Sequence, residues 1–258
     1  MRRVTQKSTI LLMNIYNKFS ARTYLAVGLI ICSSTLFTSC LKNKDSTGDG
    51  PKAQMAITNY VVNGASFNVL YDNTTTTTTP LSFGNGISTG LGAYAPFSAG
   101  IHNFKLNSGT DFAADNSISL ETGKSYSFFL YDTLKNNKVK SWLLTDDLTT
   151  ADTTIAKARF LQFIPGADSL TLYLAKDTLL FAVRDTYIGN KSEPGLENTF
   201  FMNLPPGNYQ LQLQRNSAVI FQQASVSMLR GKLYSFVCSG TINGTGVYKE
   251  NVSVVQHN

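Results

Sequence analysis

The segment Ser117-Ile-Ser-Leu-Glu-Thr-Gly-Lys-Ser-Tyr-Ser-Phe128 has a counterpart later in the chain, Ser225-Val-Ser-Met-Leu-Arg-Gly-Lys-Leu-Tyr-Ser-Phe236. In both copies a Gly-Lys pair separates two runs in which apolar and polar residues alternate. This pattern is typical of two half-buried β-strands joined by a turn. The two glycines, Gly123 and Gly231, are 108 residues apart, about the length of a small domain.

Two further segments repeat in the same order. Phe97-Ser-Ala-Gly-Ile-His-Asn-Phe-Lys-Leu106 matches Leu204-Pro-Pro-Gly-Asn-Tyr-Gln-Leu-Gln-Leu213 at an offset of 107. Gly64-Ala-Ser-Phe-Asn-Val-Leu-Tyr71 matches Gly166-Ala-Asp-Ser-Leu-Thr-Leu-Tyr173 at an offset of 102. Three ordered matches indicate an internal duplication. The sequence predicts two homologous units, residues 53–150 and 155–258, joined by the segment from Asp146 to Thr154.

Each unit is predicted to be an all-β, antiparallel, immunoglobulin-like β-sandwich of about seven short strands. The matched glycines precede strands, where the chain must reverse and a positive φ favours Gly. The matched tyrosines Tyr126 and Tyr234 are expected to be buried, and Cys238, which aligns with Leu130, is expected in the core. The six threonines Thr74 to Thr79 are predicted to form an exposed loop, with an edge strand as the alternative.

The N-terminal region has the pattern of an export signal. The apolar stretch from Tyr24 to Phe37 has 14 residues, fewer than the roughly 20 that span a bilayer as a helix. The following Leu36-Phe37-Thr38-Ser39-Cys40 resembles the lipobox of bacterial lipoproteins. That resemblance implies a signal peptide at 1–39, cleavage before Cys40, and lipid such as palmitate on its thiol. A stop-transfer anchor is the alternative, and translation could begin at Met1 or Met13.

Residues 40–52 are predicted to be a flexible tether. Leu41 follows the cysteine where an Asp would favour inner-membrane retention, so lipoprotein sorting rules imply the outer membrane. Whether the protein faces the periplasm or the cell surface stays open. The formal net charge of +6 comes mainly from the leader, which holds five of the 22 basic residues and no acid. The remaining 17 basic and 16 acidic residues give +1, so no nucleic-acid partner is expected.

The segment from Ala158 to Tyr173 (Ala-Arg-Phe-Leu-Gln-Phe-Ile-Pro-Gly-Ala-Asp-Ser-Leu-Thr-Leu-Tyr) resembles the opening of a family named domain of unknown function 4397. It has an Arg before an apolar strand, a Pro-Gly-Ala turn and an alternating strand. Leu204 to Leu213 and Gly231 to Phe236 fit the later part of the family pattern. The resemblance implies a β-sandwich at the bacterial envelope. It brings no catalytic residue.

The usual constellations of enzyme chemistry are missing from the sequence. The chain has two histidines, His102 on a predicted strand and His257 in the C-terminal tail. The Gly-rich segment Gly84-Asn-Gly-Ile-Ser-Thr-Gly90 is not followed by a helix pattern, as a nucleophile elbow would require, and is predicted to be a loop. There is no phosphate loop, dinucleotide fingerprint or cysteine cluster for a metal. Asp146 and Asp147 are adjacent, and neighbouring side chains on an extended chain point apart. We therefore expect no enzyme activity, no cofactor and no metal.

The sequence favours a non-enzymatic binding, adhesion or structural module, attached to the membrane through Cys40 and contacting a glycan or a protein. The alternative is an accessory glycan-binding lipoprotein of a polysaccharide-uptake system, and a hydrolase is a more remote one. Trp142, Tyr94 and Tyr187 are the candidate glycan contacts because aromatic rings stack on sugars. The competing interpretation is that these rings pack within the sandwiches.

Overall fold

The structure, a computed structural model, describes residues 50–64, 66–77, 79–87, 94–109, 111–136, 138–149, 152–192, 199–200 and 202–258. The leader and Cys40 lie outside these residues. The described part is built from β-strands with two short 3-10 turns, which confirms the all-β class. None of its helical segments is long and apolar enough to cross a bilayer.

The first half of the described chain forms two four-stranded sheets. One has the strand order β4-β1-β7-β8 and the other β3-β2-β5-β6. The strands are β1 (Lys52–Val62), β2 (Asn68–Tyr71), β3 (Thr74–Thr75), β4 (Ala95–Ser98), β5 (Gly100–Ser108), β6 (Asp111–Leu120), β7 (Ser125–Lys135) and β8 (Lys138–Asp146).

The second half repeats this arrangement, with the sheets β12-β9-β15-β16 and β11-β10-β13-β14. Its strands are β9 (Ala156–Gln162), β10 (Ser169–Lys176), β11 (Leu179–Thr186), β12 (Met202–Leu204), β13 (Gly207–Arg215), β14 (Ala218–Met228), β15 (Leu233–Ser239) and β16 (Asn251–Gln256). Each half is a β-sandwich, as predicted.

One feature of the topology was not predicted. The first strand of each sandwich pairs in parallel with the seventh, β1 with β7 and β9 with β15. The other pairings are antiparallel. In an immunoglobulin constant domain the first, second, fourth and fifth strands share one sheet. Here the first strand shares its sheet with the fourth, seventh and eighth.

The two sandwiches pack against each other to make four layers of sheet. In the two inner sheets, the central strands β1, β7, β9 and β15 are buried on both faces. These four strands show almost unbroken burial instead of alternation. Two apolar clusters fill the sandwiches, and a third lies between them, with members from both halves such as Tyr60, Phe129 and Phe163.

Equivalent residues of the two halves meet at this central layer. Met55 lies opposite Tyr126 on β7, and Ala158 lies opposite the matching Tyr234 on β15. Five residues further along each strand, Tyr60 therefore corresponds to Phe163. Their rings stack with centroids 5.6 Å apart and planes 15° apart. Contact between equivalent positions is the signature of a local two-fold axis.

Several local predictions are confirmed. Gly100, Gly123, Gly207 and Gly231 all have positive φ. Tyr126 and Tyr234 are buried, and each hydroxyl accepts a hydrogen bond of 3.0 Å from the backbone N–H five residues earlier. Cys238 is fully buried in the second core.

Other local predictions need correction. Thr74 and Thr75 form the edge strand β3, so the threonine run is not entirely a loop. Asp146 is the last residue of β8 and is buried, whereas it was assigned to the linker. The match of Tyr71 with Tyr173 is displaced by one residue. Since Val69 pairs with Leu106 as Leu172 pairs with Leu213, Tyr173 corresponds to Leu70.

Candidate functional site

A buried ion pair joins the two sandwiches at one end of the central layer. Asp146 ends β8 of the first sandwich, and Arg159 lies on β9 of the second. Arg159 Nη1 is 2.7 Å from Asp146 Oδ1, and both side chains are completely buried. Ser127 Oγ donates to Asp146 Oδ2 at 2.7 Å, and Arg159 Nη2 donates to Ser127 Oγ at 3.3 Å. Two charges removed from water are therefore compensated by each other and by added hydrogen bonds.

His257 closes this network from the C-terminal segment. Its Nδ1 lies 2.8 Å from the hydroxyl of Tyr94, which donates to Asp146 Oδ2 at 2.8 Å. Its Nε2 lies 2.7 Å from Ser235 Oγ, which accepts from Arg159 Nε at 2.7 Å. One assignment of protons satisfies every bond: Nδ1–H donates to Tyr94, and Nε2 accepts from Ser235. The imidazole is therefore neutral in this arrangement.

The network follows the internal duplication. Ser127 and Ser235 hold the same position in the matched Tyr-Ser-Phe segments of β7 and β15. Asp146 pairs with Ser125, and His257 donates its backbone N–H to Leu233, the counterpart of Ser125. Asp146 and His257 are thus equivalent positions, each 2.7 Å from the serine of its own half.

Burial sets the electrostatics of the network. Loss of hydration, aided by the charge of Arg159 and opposed by Asp146, lowers the pKa of His257 to about 4. Burial and the charge of Asp146 raise the pKa of Tyr94 well above its usual value. Phe200 covers the guanidinium of Arg159 at 4.6 Å and packs edge-on against the His257 ring at 5.3 Å.

The order Ser235–His257–Tyr94–Asp146 resembles the hydrogen-bond chain of a serine hydrolase, with a tyrosine inserted between base and acid. Among the described residues, however, this hydrogen-bond chain is buried. Ser235 has no exposed surface, its hydroxyl already accepts from Arg159, and His257 is 7% exposed. A substrate carbonyl cannot approach this hydroxyl without separating the sandwiches. The arrangement can tie the sandwiches together, and it offers no open nucleophile.

The structure separates the three aromatic residues predicted as glycan contacts. Tyr94 lies in the polar network, with its hydroxyl engaged. Tyr187 is 5% exposed and belongs to the aromatic cluster between the sandwiches, against Tyr131 at 6.1 Å. Trp142 is half-buried against the same cluster, and its Nε1–H has no hydrogen-bond partner among the described residues. The three do not share one exposed surface.

His102 and Cys238, which were also considered as functional residues, are each held in contacts within the fold. His102 lies on β5, where its Nδ1 is 2.7 Å from Asp72 Oδ2 and its ring stacks on Tyr71 at 4.5 Å. Hydrogen bonds from the Asn103 N–H and from His102 lower the pKa of Asp72. Burial raises the pKa of the Cys238 thiol, which therefore stays protonated and unreactive. Within the described ranges no three His, Cys, Asp or Glu side chains converge as metal ligands.

The outer sheet of the second sandwich carries a glutamine-rich surface that was not recognised from the sequence. Alternating leucines of β10 and β13 are buried, so the residues between them face outward. This surface, called here the amide face, consists of Thr171, Tyr173, Ala175, Leu180, Ala182, Arg184, Gln210, Gln212, Gln214, Val219 and Gln222. The period-two run Tyr-Gln-Leu-Gln-Leu-Gln on β13 is the signal from which it could have been found.

Strand pairing places the amide-face side chains side by side. Tyr173 lies between Ala182 of β11 and Gln212 of β13, and Gln212 lies opposite Gln222 of β14. An irregularity in the β13–β14 pairing after Tyr209 accompanies an open depression of about 160 Å³. It is lined by Gln210, Leu211, Gln212, Gln222, Gln223 and Ala224.

Comparison with known proteins confirms the family resemblance. Residues 53–173 match the model of a family described as Domain of unknown function (DUF4397). The match runs through the first sandwich, into β10 of the second, and ends at Tyr173. It thus includes the segment from Ala158 to Tyr173. No curated protein matches the chain.

Proposed function

We propose that this chain, which carries a DUF4397 match over residues 53–173, is a non-enzymatic binding module held at the bacterial outer membrane by lipid on Cys40. The proposal that it is not an enzyme is supported by the burial of the hydrogen-bond chain that resembles that of a serine hydrolase. Ser235 and Arg159 are fully buried between the sandwiches, so the polar residues best suited to catalysis serve cohesion. What remains for a partner is the outside of the double sandwich.

The tethered arrangement is supported by the way the chain enters the fold. The carbonyl of Pro51, directly before β1, accepts a hydrogen bond of 2.8 Å from Ala99 N–H. The described fold begins about ten residues after Cys40. Ten extended residues reach at most about 36 Å. A lipid on Cys40 would hold the double sandwich within that distance of the bilayer while leaving its outer sheets accessible.

Lipid attachment is tested with the Cys40→Ala variant expressed in a bacterium that processes lipoproteins. Cells are fed an alkyne analogue of palmitate, and the label on the purified protein is measured. The unmodified chain should carry the label and partition into detergent, and the variant should do neither. Equal labelling of both proteins would overturn the anchoring role of Cys40.

The non-enzymatic proposal is tested with a broad panel of ester, peptide and glycoside substrates, comparing the unmodified chain with Ser235→Ala and Asp146→Asn. We expect no turnover by any of the three proteins. Turnover by the unmodified chain that disappears in Ser235→Ala would show that the interface opens for catalysis and would overturn the proposal.

A further inference from the structure

We propose that the amide face binds a neutral polysaccharide, one chain per molecule. The proposal rests on the proposed function, because it supplies the ligand class of that binding module. It stands on the chemistry of the outward-facing residues on four adjacent strands, β10, β11, β13 and β14.

The amides of this face are free to bind. The side chains of Gln210, Gln212, Gln214 and Gln222 make no hydrogen bond to any other described residue. A primary amide donates two hydrogen bonds and accepts two, which matches a sugar hydroxyl that does both. Four such groups on neighbouring strands can therefore hold several hydroxyls of an extended chain at once. Side chains opposite each other lie about 5 Å apart, and alternate residues on one strand about 6.7 Å.

Tyr173 gives the face an apolar stacking surface in the same row as Gln212 and Gln222. An aromatic ring flanked by amides fits a pyranose, which has an apolar face and a polar rim. The depression beside it is shallow and open, so it suits a chain lying along the sheet better than a small buried ligand.

Charge defines the ligand further. Arg184 is the one charged residue of the amide face, and its Nε and Nη2 both donate to Ser169 Oγ, at 2.8 and 2.6 Å. A single positive charge, without a cluster of further cations, offers little attraction to an acidic polymer. The exposed apolar side chains of the face, Leu180 and Val219, lie on its two edge strands with polar residues between them, so its centre lacks the apolar core of a protein interface. A neutral polysaccharide is the occupant that fits these properties.

The first sandwich shows that this face is not a general property of the fold. Its positions equivalent to Gln212 and Tyr173 are Lys105 and Leu70, so it presents a cation and no aromatic ring there. Lys105 Nζ donates to Asn73 Oδ1 at 2.9 Å. The duplicated surfaces have diverged, and the expected stoichiometry is one binding site per chain.

The test uses the detergent-solubilised full chain and immobilised glucan, mannan, galactan and xylan, with polygalacturonate as the acidic polymer. The unmodified chain should bind at least one neutral polysaccharide, with an affinity that changes less than twofold between about 0.05 and 0.5 M NaCl. The double variant Gln212→Ala/Gln222→Ala should bind at least about tenfold more weakly, as loss of several hydrogen bonds requires.

The matched control is Asn68→Ala/Asn107→Ala, which removes two amides that lie opposite each other on the first sandwich. It should bind as the unmodified chain does, and circular dichroism melting should show that both variants are folded. Tyr173→Ala should also weaken binding. Binding to none of the neutral polysaccharides, binding to polygalacturonate alone, or equal binding by all variants would overturn the inference. Release of reducing ends from a bound polysaccharide would overturn the non-enzymatic function instead.

Discussion

At the scale of single residues, the main finding is that one duplicated position has become two complementary side chains. Asp146 in the first half and His257 in the second are equivalent, and the hydroxyl of Tyr94 joins them at 2.8 Å to each. Two copies of one residue at this site would have placed like groups together in a buried layer. The divergence to carboxylate and imidazole, with Arg159 balancing the charge, permits a satisfied network.

His257 should make the stability of the chain depend on pH. Its pKa is about 4 in the folded chain and about 6.5 when unfolded, so the unfolded state binds the proton more readily. The stabilisation is complete above pH 6.5, falls as the pH drops, and is lost near pH 4. The difference corresponds to about 3 kcal/mol. Urea denaturation at pH 7.5 and pH 4.5 should show this loss.

The variant His257→Gln is the control for that measurement, because Gln keeps a donor and an acceptor but does not titrate in this range. Carboxylates also contribute to acid destabilisation in both proteins. The decrease in unfolding free energy between pH 7.5 and pH 4.5 should therefore be smaller in the variant. Equal decreases would contradict the assignment of the pH dependence to His257.

Breaking the Arg159–Asp146 pair on one side should be strongly destabilising. Arg159→Met leaves the Asp146 carboxylate buried without its counter-charge, which costs about 3–5 kcal/mol. Arg159→Met/Asp146→Asn removes both charges and should recover a substantial part of that loss. Chemical denaturation of both single variants and the double variant measures the coupling. A double variant as unstable as the sum of the single ones would contradict the pairing.

The sequence could not reveal these residue roles. His257 follows the last strand and has the pattern of a tail, and Arg159 is recognisable only as part of the family resemblance. Their partners are separated from them by up to 163 residues. The periodicity of apolar residues along a strand does not predict contacts between sheets of different sandwiches. Such contacts depend on how the folded sheets pack against each other.

At the scale of elements, burial distinguishes the outer strands from the central ones. The outer strands β10 and β13 alternate as predicted, and the central strands β1, β7, β9 and β15 do not. The alternation was sufficient to predict sandwiches. The order of strands within each sheet, and the parallel pairs, depend on non-local pairing that a short motif does not encode.

The match of Tyr71 with Tyr173 shows that an alignment error of one residue changes the role assigned to a side chain. A shift of one residue along a strand moves a side chain to the opposite face. By sequence similarity the two tyrosines are the same position. By strand pairing Tyr71 packs on the first core, against Phe97 and Phe104, and Tyr173 faces outward. The amide face becomes visible only when the register is correct.

The ends of β1 and β9 contain matching buried amides that should contribute similarly to stability. Asn59 donates to the carbonyl of Leu81 and accepts from the Val61 N–H. Gln162 donates to the carbonyl of Ala167 and accepts from the Ile164 N–H. Asn59→Ala removes the side-chain acceptor of the buried Val61 N–H, and Gln162→Ala removes that of the buried Ile164 N–H, each at a cost of about 1–3 kcal/mol.

Urea denaturation of both variants measures this cost. Gln223→Ala is the control, because its amide makes an exposed hydrogen bond to Ser225, and its stability should change by less than about 0.5 kcal/mol. A small effect of Asn59→Ala together with a large effect of Gln162→Ala would show that the two amides are not functionally equivalent.

At the scale of the whole molecule, the duplication produces a single four-layer body. The two halves have separate sandwich topologies, yet residues 49–258 form one compact unit by their contacts. The reason is the central layer, where an apolar cluster and a buried polar network both bridge the halves. The repeats could be found in the sequence, but the packing of one sandwich on the other could not. One face of each central sheet packs on the core of its own sandwich, and the other face packs on the second sandwich, which no short sequence pattern reveals.

This architecture predicts that the two sandwiches unfold together. Scanning calorimetry of the purified full chain should show one transition with equal calorimetric and van't Hoff enthalpies. Phe163→Asp should separate it into two transitions, because it places a carboxylate among the rings of Tyr60, Phe129 and Tyr131. Phe163→Leu keeps an apolar side chain there and should retain one transition. Two well-resolved transitions in the unmodified chain would mean that the central layer does not couple the sandwiches.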